Sequence, residues 1–210
     1  RMHVVYATLE MSELAIVPRF LANLTGVPTN AIIASADSMA VAKERFAHIN
    51  PAHVLPMACT IKYFTPHGTT VRDLKAWVKQ QEEHRGRPID ALLVDYADKL
   101  TDSLSGDKPK ERNTYQSMSL VYEALRNYAV EKDIVVWTAS QARRGDDKRG
   151  RARKLGLDSV ADSIEKVRLA DLVLTINHDD DDAGEDEVAF NIAKHRTGKG
   201  RRVIGPLPAD

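Results

Sequence analysis

Short, near-continuous apolar runs alternate along this chain with stretches whose apolar residues recur every three or four positions, and the two patterns predict different elements. The run Val4-Val5-Tyr6-Ala7-Thr8-Leu9 is short and β-branched, as a strand buried on both faces must be. Ser12 then stands where it can N-cap a helix carrying Leu14, Val17, Leu21 and Leu24 at helical spacing, which Gly26 stops. Pro18 falls inside that helix and predicts a kink or a place in its first turns. A second helix is predicted from about residue 39 to 49, followed by strands over 54–57 and 61–64 and a turn at Pro66-His67-Gly68. Thr69 or Thr70 caps a helix with Val71, Leu74, Trp77 and Val78 on one face. Ala91-Leu92-Leu93-Val94 is the next buried strand, and the breakers Ser105-Gly106-Asp107-Lys108-Pro109 make 101–113 a loop. Met118, Val121, Leu125 and Tyr128 mark a long amphipathic helix, and 134–139 a strand. A short helix near 159–168 precedes a strand at 172–176, which forms a hairpin with 188–193 across an acidic turn. Trp77, Trp137 and most tyrosines lie on these apolar faces or strands and are expected in the core.

Strand–helix alternation with unbroken apolar strands predicts an α/β fold: a mostly parallel sheet, helices on both faces and an antiparallel C-terminal edge. No composition break divides the 210 residues, so a single domain over 1–210 is expected. The lone cysteine, Cys59, excludes an internal disulfide and a Cys-based zinc site, and the seven histidines show no paired-ligand spacing. No apolar run approaches the roughly 20 residues of a membrane span. The start at Arg1-Met2 carries no basic-then-apolar leader and suggests a fragment. Thirty basic and thirty acidic residues cancel, which argues against a chain that coats nucleic acid over its whole surface. The average hides two opposite segments. Residues 143–154 hold seven Lys/Arg against two Asp, and 179–187 hold seven acids in nine positions without the spacing of a calcium loop.

Candidate chemistry lies where the apolar runs stop. Three of them end in Leu9-Glu10, Val94-Asp95 and Ser140-Gln141. In an open α/β sheet the crevice beyond the carboxyl ends of the strands is the ligand site, so two carboxylates and an amide converge there. Such a set suits a magnesium nucleotide: one acid orients the ion through its water, the other polarises attacking water, and the amide senses a terminal phosphate. Any one of these residues alone could simply mark the start of a loop; the three together favour the functional reading.

The same residues carry a resemblance. His3-Val4-Val5-Tyr6-Ala7-Thr8-Leu9-Glu10-Met11-Ser12 resembles the strand and Leu-Glu-Met-Ser turn of DnaB-type replicative helicases, and Leu92-Leu93-Val94-Asp95-Tyr96 their Walker B strand. Thr138-Ala139-Ser140-Gln141-Ala142-Arg143-Arg144, Ser163-Ile164-Glu165 with Ala170-Asp171, and Ile192-Ala193-Lys194-His195-Arg196-Thr197-Gly198 resemble three further motifs in the same order. The resemblance spans residues 3–198 and implies the family's RecA-like C-terminal motor domain. By it, Glu10 is the carboxylate that activates water, Asp95 the acid associated with Mg2+ through water, and Gln141 the γ-phosphate sensor. Lys194 and Arg196, two apart on a strand and so on one face, would reach the neighbouring subunit's ATP. His195 and Thr197 stand where the family usually has Gln and often has Asn. Arg143, Arg144, Lys148, Arg149 and Arg151 fall where these motors place a channel loop that grips single-stranded DNA by its phosphates. A ring hexamer, ATP and Mg2+ as cofactors, primase or loader contacts through absent regions, and a cytoplasmic setting in a bacterial or phage-infected cell are implied as well.

One required part is missing. No Lys-Ser or Lys-Thr dipeptide occurs, so the phosphate loop G-x-x-x-x-G-K-[ST] is absent. The expectation is an N-terminally truncated motor domain lacking its first strand, phosphate loop and first helix, inactive on its own. The alternatives are another RecA-like ATPase, a recombinase or KaiC-like protein, or a degenerate module that binds DNA without turnover.

Overall fold

A computed structural model describes residues 2–49, 57–102, 114–141, 164–177, 187–198 and 202–206. Four parallel strands form its centre: β1 (Met2–Thr8), β2 (Met57–Tyr63), β3 (Ala91–Asp95) and β4 (Val135–Thr138), in the order β2-β1-β3-β4. The register sets Thr8 level with both Tyr63 and Asp95, and Val94 level with Thr138, so the carboxyl ends of all four strands lie at one edge.

Two helices cover one face: α4 (Val71–Arg85) and α5 (Thr114–Lys132). Val5, Ala7, Leu92 and Val94 meet Leu74, Trp77 and Val78 of α4 and Val121, Leu125 and Tyr128 of α5 in one core. The predicted apolar face of α4 is therefore the buried one, and its start is a capping box: the Thr70 hydroxyl accepts the Asp73 N–H while the Asp73 carboxylate accepts the Thr70 N–H. On the other face lie α1 (Glu13–Thr25), whose Phe20 ring meets Tyr6 of β1 edge-on, and two helices packed on it, α2 (Thr29–Ala34) and α3 (Ala36–His48).

A second sheet is antiparallel, with β5 (Leu172–Asn177), β6 (Glu187–His195) and β7 (Arg202–Pro206) in that order, preceded by α6 (Ile164–Leu169). No described helix is long and apolar enough to cross a membrane.

Several expectations change in detail. The two short strands predicted around 54–64 are one strand, β2, with 54–56 outside the described residues; β2 is an edge, so the polar Thr60 and Lys62 interrupt its sequence without ending it. Ser35 caps a helix that starts at Ala36 rather than near 39, its hydroxyl accepting the N–H groups of Asp37 and Ser38. The C-terminal hairpin is present but belongs to its own three-stranded sheet rather than to the edge of the parallel one. Trp137 is 48% exposed, not core: Ile134 and Val136 turn inward, and Trp137 points to the face opposite α5 together with Val135.

Candidate nucleotide site

The turn after β1 is built by Thr8. Its side chain is fully buried, and its hydroxyl donates to the Met11 carbonyl at 2.7 Å while accepting the Met11 N–H at 3.1 Å. The chain thus folds back within four residues and presents Glu10 to solvent. Leu9, buried, donates its N–H to the Asp95 carbonyl at 2.6 Å, which fastens this turn to the exit of β3. Glu13, in the first turn of α1, accepts the Tyr63 N–H at 2.6 Å. That bond holds its carboxyl below the ordinary carboxylate range and closes the end of β2.

Asp95 is oriented from below. The Tyr6 phenol donates to Asp95 Oδ2 at 2.7 Å, and burial, then the Asp95 bond and charge, push the phenol far above its ordinary value of 10. Tyr6 therefore remains a donor throughout the physiological range and fixes one carboxylate oxygen. Sequence reasoning passes over Tyr6 as one more apolar strand residue. The available signal is its position two residues before Thr8, on the strand whose end is level with Asp95.

The third strand end is tied to the second. Thr138 donates its hydroxyl proton to the Val94 carbonyl at 2.9 Å and accepts the Ala97 N–H at 3.0 Å. Two residues on, Ser140 donates to Asp98 Oδ2 at 3.0 Å, and Gln141 follows, exposed. Asp95 thus ends β3, and Glu10 and Gln141 follow the ends of the adjoining strands β1 and β4 at the same edge of the sheet. Asp98 lies in a 3-10 turn, Ala97–Lys99, and also receives the Tyr122 hydroxyl and the Lys166 ammonium.

Lys194 and Arg196 form a separate group on the second sheet. Lys194 donates to the carbonyls of Val167 at 2.6 Å and Arg168 at 3.0 Å, in the last turn of α6. Partial desolvation, then the neighbouring Arg196 charge, lowers its pKa. The Arg196 guanidinium pairs with Asp171 at 2.8 Å, and Arg126 of α5 bonds the same carboxylate at 3.1 Å and the Leu169 carbonyl at 2.6 Å. Both cations reach the segment 167–171. The expectation that both lie on one strand holds for Lys194 only: β6 ends at His195, Arg196 stands in the bend that follows, and the β5–β6 pairing is irregular next to Lys194, where Val173 faces Lys194 but Leu174 faces Ile192. At Gly198 a Cβ would lie 2.7 Å from His195 Nδ1, so a larger residue there displaces the imidazole of His195. Arg143, Arg144, Lys148, Arg149, Arg151 and the acidic segment before Glu187 lie outside the described residues.

A parallel sheet with carboxylates and an amide beyond its strand ends, and helices on both faces, is the build of a RecA-like ATPase domain. The profile of the family described as DnaB-like helicase C terminal domain matches residues 1–204, and the chain belongs to that family. No curated protein sequence matches it. Among solved structures, a DnaB-like replicative helicase studied with its interactions with primase superposes with a TM-score of 0.73 at 21% identity, covering 97% of this chain and 48% of that one. A second solved structure, an ATPase domain, gives 0.72 at 20% identity, covering 97% of this chain and 70% of the other. The chain thus spans about half the length of the first of these relatives.

Proposed function

We propose that this chain is part of the motor of an ATP-dependent replicative DNA helicase that assembles as a ring hexamer and translocates on single-stranded DNA. The observation that supports the reading is the level exit of β1, β3 and β4, which brings the strand ends leading to Glu10, Asp95 and Gln141 to one edge of the sheet. Carboxylate oxygens are hard donors, and the Asp95 carboxylate, fixed by Tyr6, fits a magnesium ion held through water. Bound there with ATP, the ion would neutralise charge on the phosphates. Glu10, exposed at the tip of its turn, takes the proton of the attacking water. Gln141 hydrogen-bonds the terminal phosphate. Lys194 and Arg196 serve the nucleotide of the adjacent subunit, where two cations offset the negative charge of the transferring group.

The missing phosphate loop belongs, in this reading, to a longer protein upstream of Arg1, so hydrolysis is a property of that protein. The absence of the motif also favours a second reading, a DNA-binding relative without turnover. Assembly draws support from α1, where Leu14, Val17 and Leu24 are exposed on one side of the helix, an apolar stripe of the kind that subunit contacts cover. A primase contact, of the kind studied in one structural relative, would be made through regions outside this chain.

The test is ATP hydrolysis by the longer protein with and without single-stranded DNA. Glu10→Gln and Arg196→Ala are expected to lower kcat by about a hundredfold or more while KM for ATP changes little. Full turnover in either variant removes that residue from the site. Intact DNA binding with no hydrolysis by the unaltered protein establishes the non-hydrolysing relative instead.

A further inference from the structure

The group around Asp98 has no part in the roles assigned so far, yet it is the most elaborately bonded carboxylate among the described residues. Asp98 Oδ1 accepts the Tyr122 hydroxyl at 2.6 Å. Asp98 Oδ2 accepts both the Lys166 ammonium at 2.7 Å and the Ser140 hydroxyl at 3.0 Å, and Lys166 also donates to Ser140 Oγ at 3.1 Å. The Lys166 side chain is 6% exposed and its ammonium lies 5.3 Å from the centre of the Tyr122 ring. An ammonium taken this far from water is expensive unless every proton finds a partner, and a surface ion pair would need none of this enclosure.

The connections of the cluster give it a direction. Ser140 immediately precedes Gln141. Asp98 follows Asp95 by three residues, in the turn that Thr138 also holds through the Ala97 N–H. Lys166 lies in α6, the helix whose last-turn carbonyls receive Lys194. The exit of β3, the exit of β4 and the start of α6 are therefore joined through a single carboxylate. In the sequence, the basic stretch 143–154 is flanked by two of the groups that meet there, Ser140 and Lys166.

We propose that Asp98 and Lys166 are positioning residues that couple the Gln141 strand end to α6, so that the state of the nucleotide and the engagement of DNA bias one another. The inference deepens the proposed function and rests on Gln141 as the phosphate sensor. A displacement of Gln141 is passed by the adjoining Ser140 hydroxyl to Asp98, and from there by the buried ion pair to α6. In this role Asp98 and Lys166 act through Gln141 rather than on the attacking water or the phosphate.

The experiment uses the longer protein with its phosphate loop and measures kcat and KM for ATP, with and without single-stranded DNA, alongside Tm. Lys166→Met, Asp98→Asn and Ser140→Ala are compared with the unaltered protein. The ratio of DNA-stimulated to unstimulated kcat is expected to fall about tenfold, a coupling effect of ordinary size, while KM for ATP stays close to that of the unaltered protein. A purely structural cluster gives another result: Tm falls, and both rates drop in proportion with the ratio kept. That outcome, or an unchanged ratio in folded variants, overturns the inference. Should removal of the buried lysine or carboxylate prevent folding, Ser140→Ala decides, since it deletes one exposed hydroxyl and leaves the ion pair in place. An unaltered protein that hydrolyses ATP without any response to DNA, or does not hydrolyse it, overturns the helicase reading and the inference with it. Strong stimulation that survives all the variants overturns the inference alone.

Discussion

Thr8 shows how much of the site depends on a residue with no chemical role. Its hydroxyl both donates to and accepts from the backbone of Met11, so the turn that carries Glu10 closes on a side chain with no other outlet. Thr8→Val keeps the shape and deletes both bonds, leaving the Met11 groups to find other partners. The expected result in the longer protein is a fall in kcat of about tenfold with KM little changed, because Glu10, the proposed base, loses its fixed position rather than its carboxylate. Unfolding of the chain should require about 1 kcal/mol less. A second prediction concerns His3, buried at the opposite end of β1. Desolvation, and then the charge of Arg85, hold its pKa below the ordinary 6.5. The unfolded chain therefore binds more protons than the folded one just below that value, so stability falls as pH drops from 6.5 through the lowered folded pKa. Denaturant titrations at a series of pH values should show this slope, and His3→Leu should flatten it. An equally steep slope in the variant would assign the acid sensitivity to other groups.

Elements are legible where the pattern of burial is simple, and misread where it is not. On α4 the residues at helical spacing, Val71, Leu74, Trp77 and Val78, are the buried ones, because that helix lies against a single sheet face. On α1 the same kind of spacing points elsewhere: Leu14 is 87% exposed, Val17 and Leu24 are also exposed, and the helix buries Ile16, Pro18, Ala22 and Thr25 instead. Periodicity identifies a face, but not what covers it. Trp137 departs from expectation for a related reason, since alternation along β4 puts it on the side away from the main core. The contrast gives a direct comparison between two leucines. Leu74→Ala should lower the unfolding free energy by about 3 kcal/mol, as deletion of a fully buried leucine does. Leu14→Ala should change it by about 0.5 kcal/mol or less. Similar losses at both positions in chemical denaturation would mean that α1 packs its apolar stripe inward.

Over the whole molecule, what sequence reveals about the candidate site depends on whether a residue interrupts the apolar pattern. The strand-end positions of the candidates Glu10, Asp95 and Gln141 can be read directly, because each follows an apolar run and a parallel sheet brings such ends together. The Asp98–Lys166 pair cannot, because neither position interrupts a pattern. Lys194 and Arg196 lie between these cases: their spacing is visible, but their attachment to α6 and Asp171 is a tertiary fact. Charge is distributed on the same scale. Zero net charge combines a +5 stretch at 143–154, by seven basic residues less two acidic, with the acidic run at 179–187, and only the first can attract a polyanion. If the basic stretch grips phosphates, its contribution must show as released counterions. Arg149→Gln with Arg151→Gln in the longer protein should weaken single-stranded DNA binding alike for all sequences. It should also reduce the slope of log affinity against log salt by about 0.7 for each phosphate no longer neutralised. Weaker binding with an unchanged slope would mean that these arginines act by holding the protein in shape. A sequence-dependent loss would mean that they read bases, which a stretch without a single aromatic residue is poorly equipped to do.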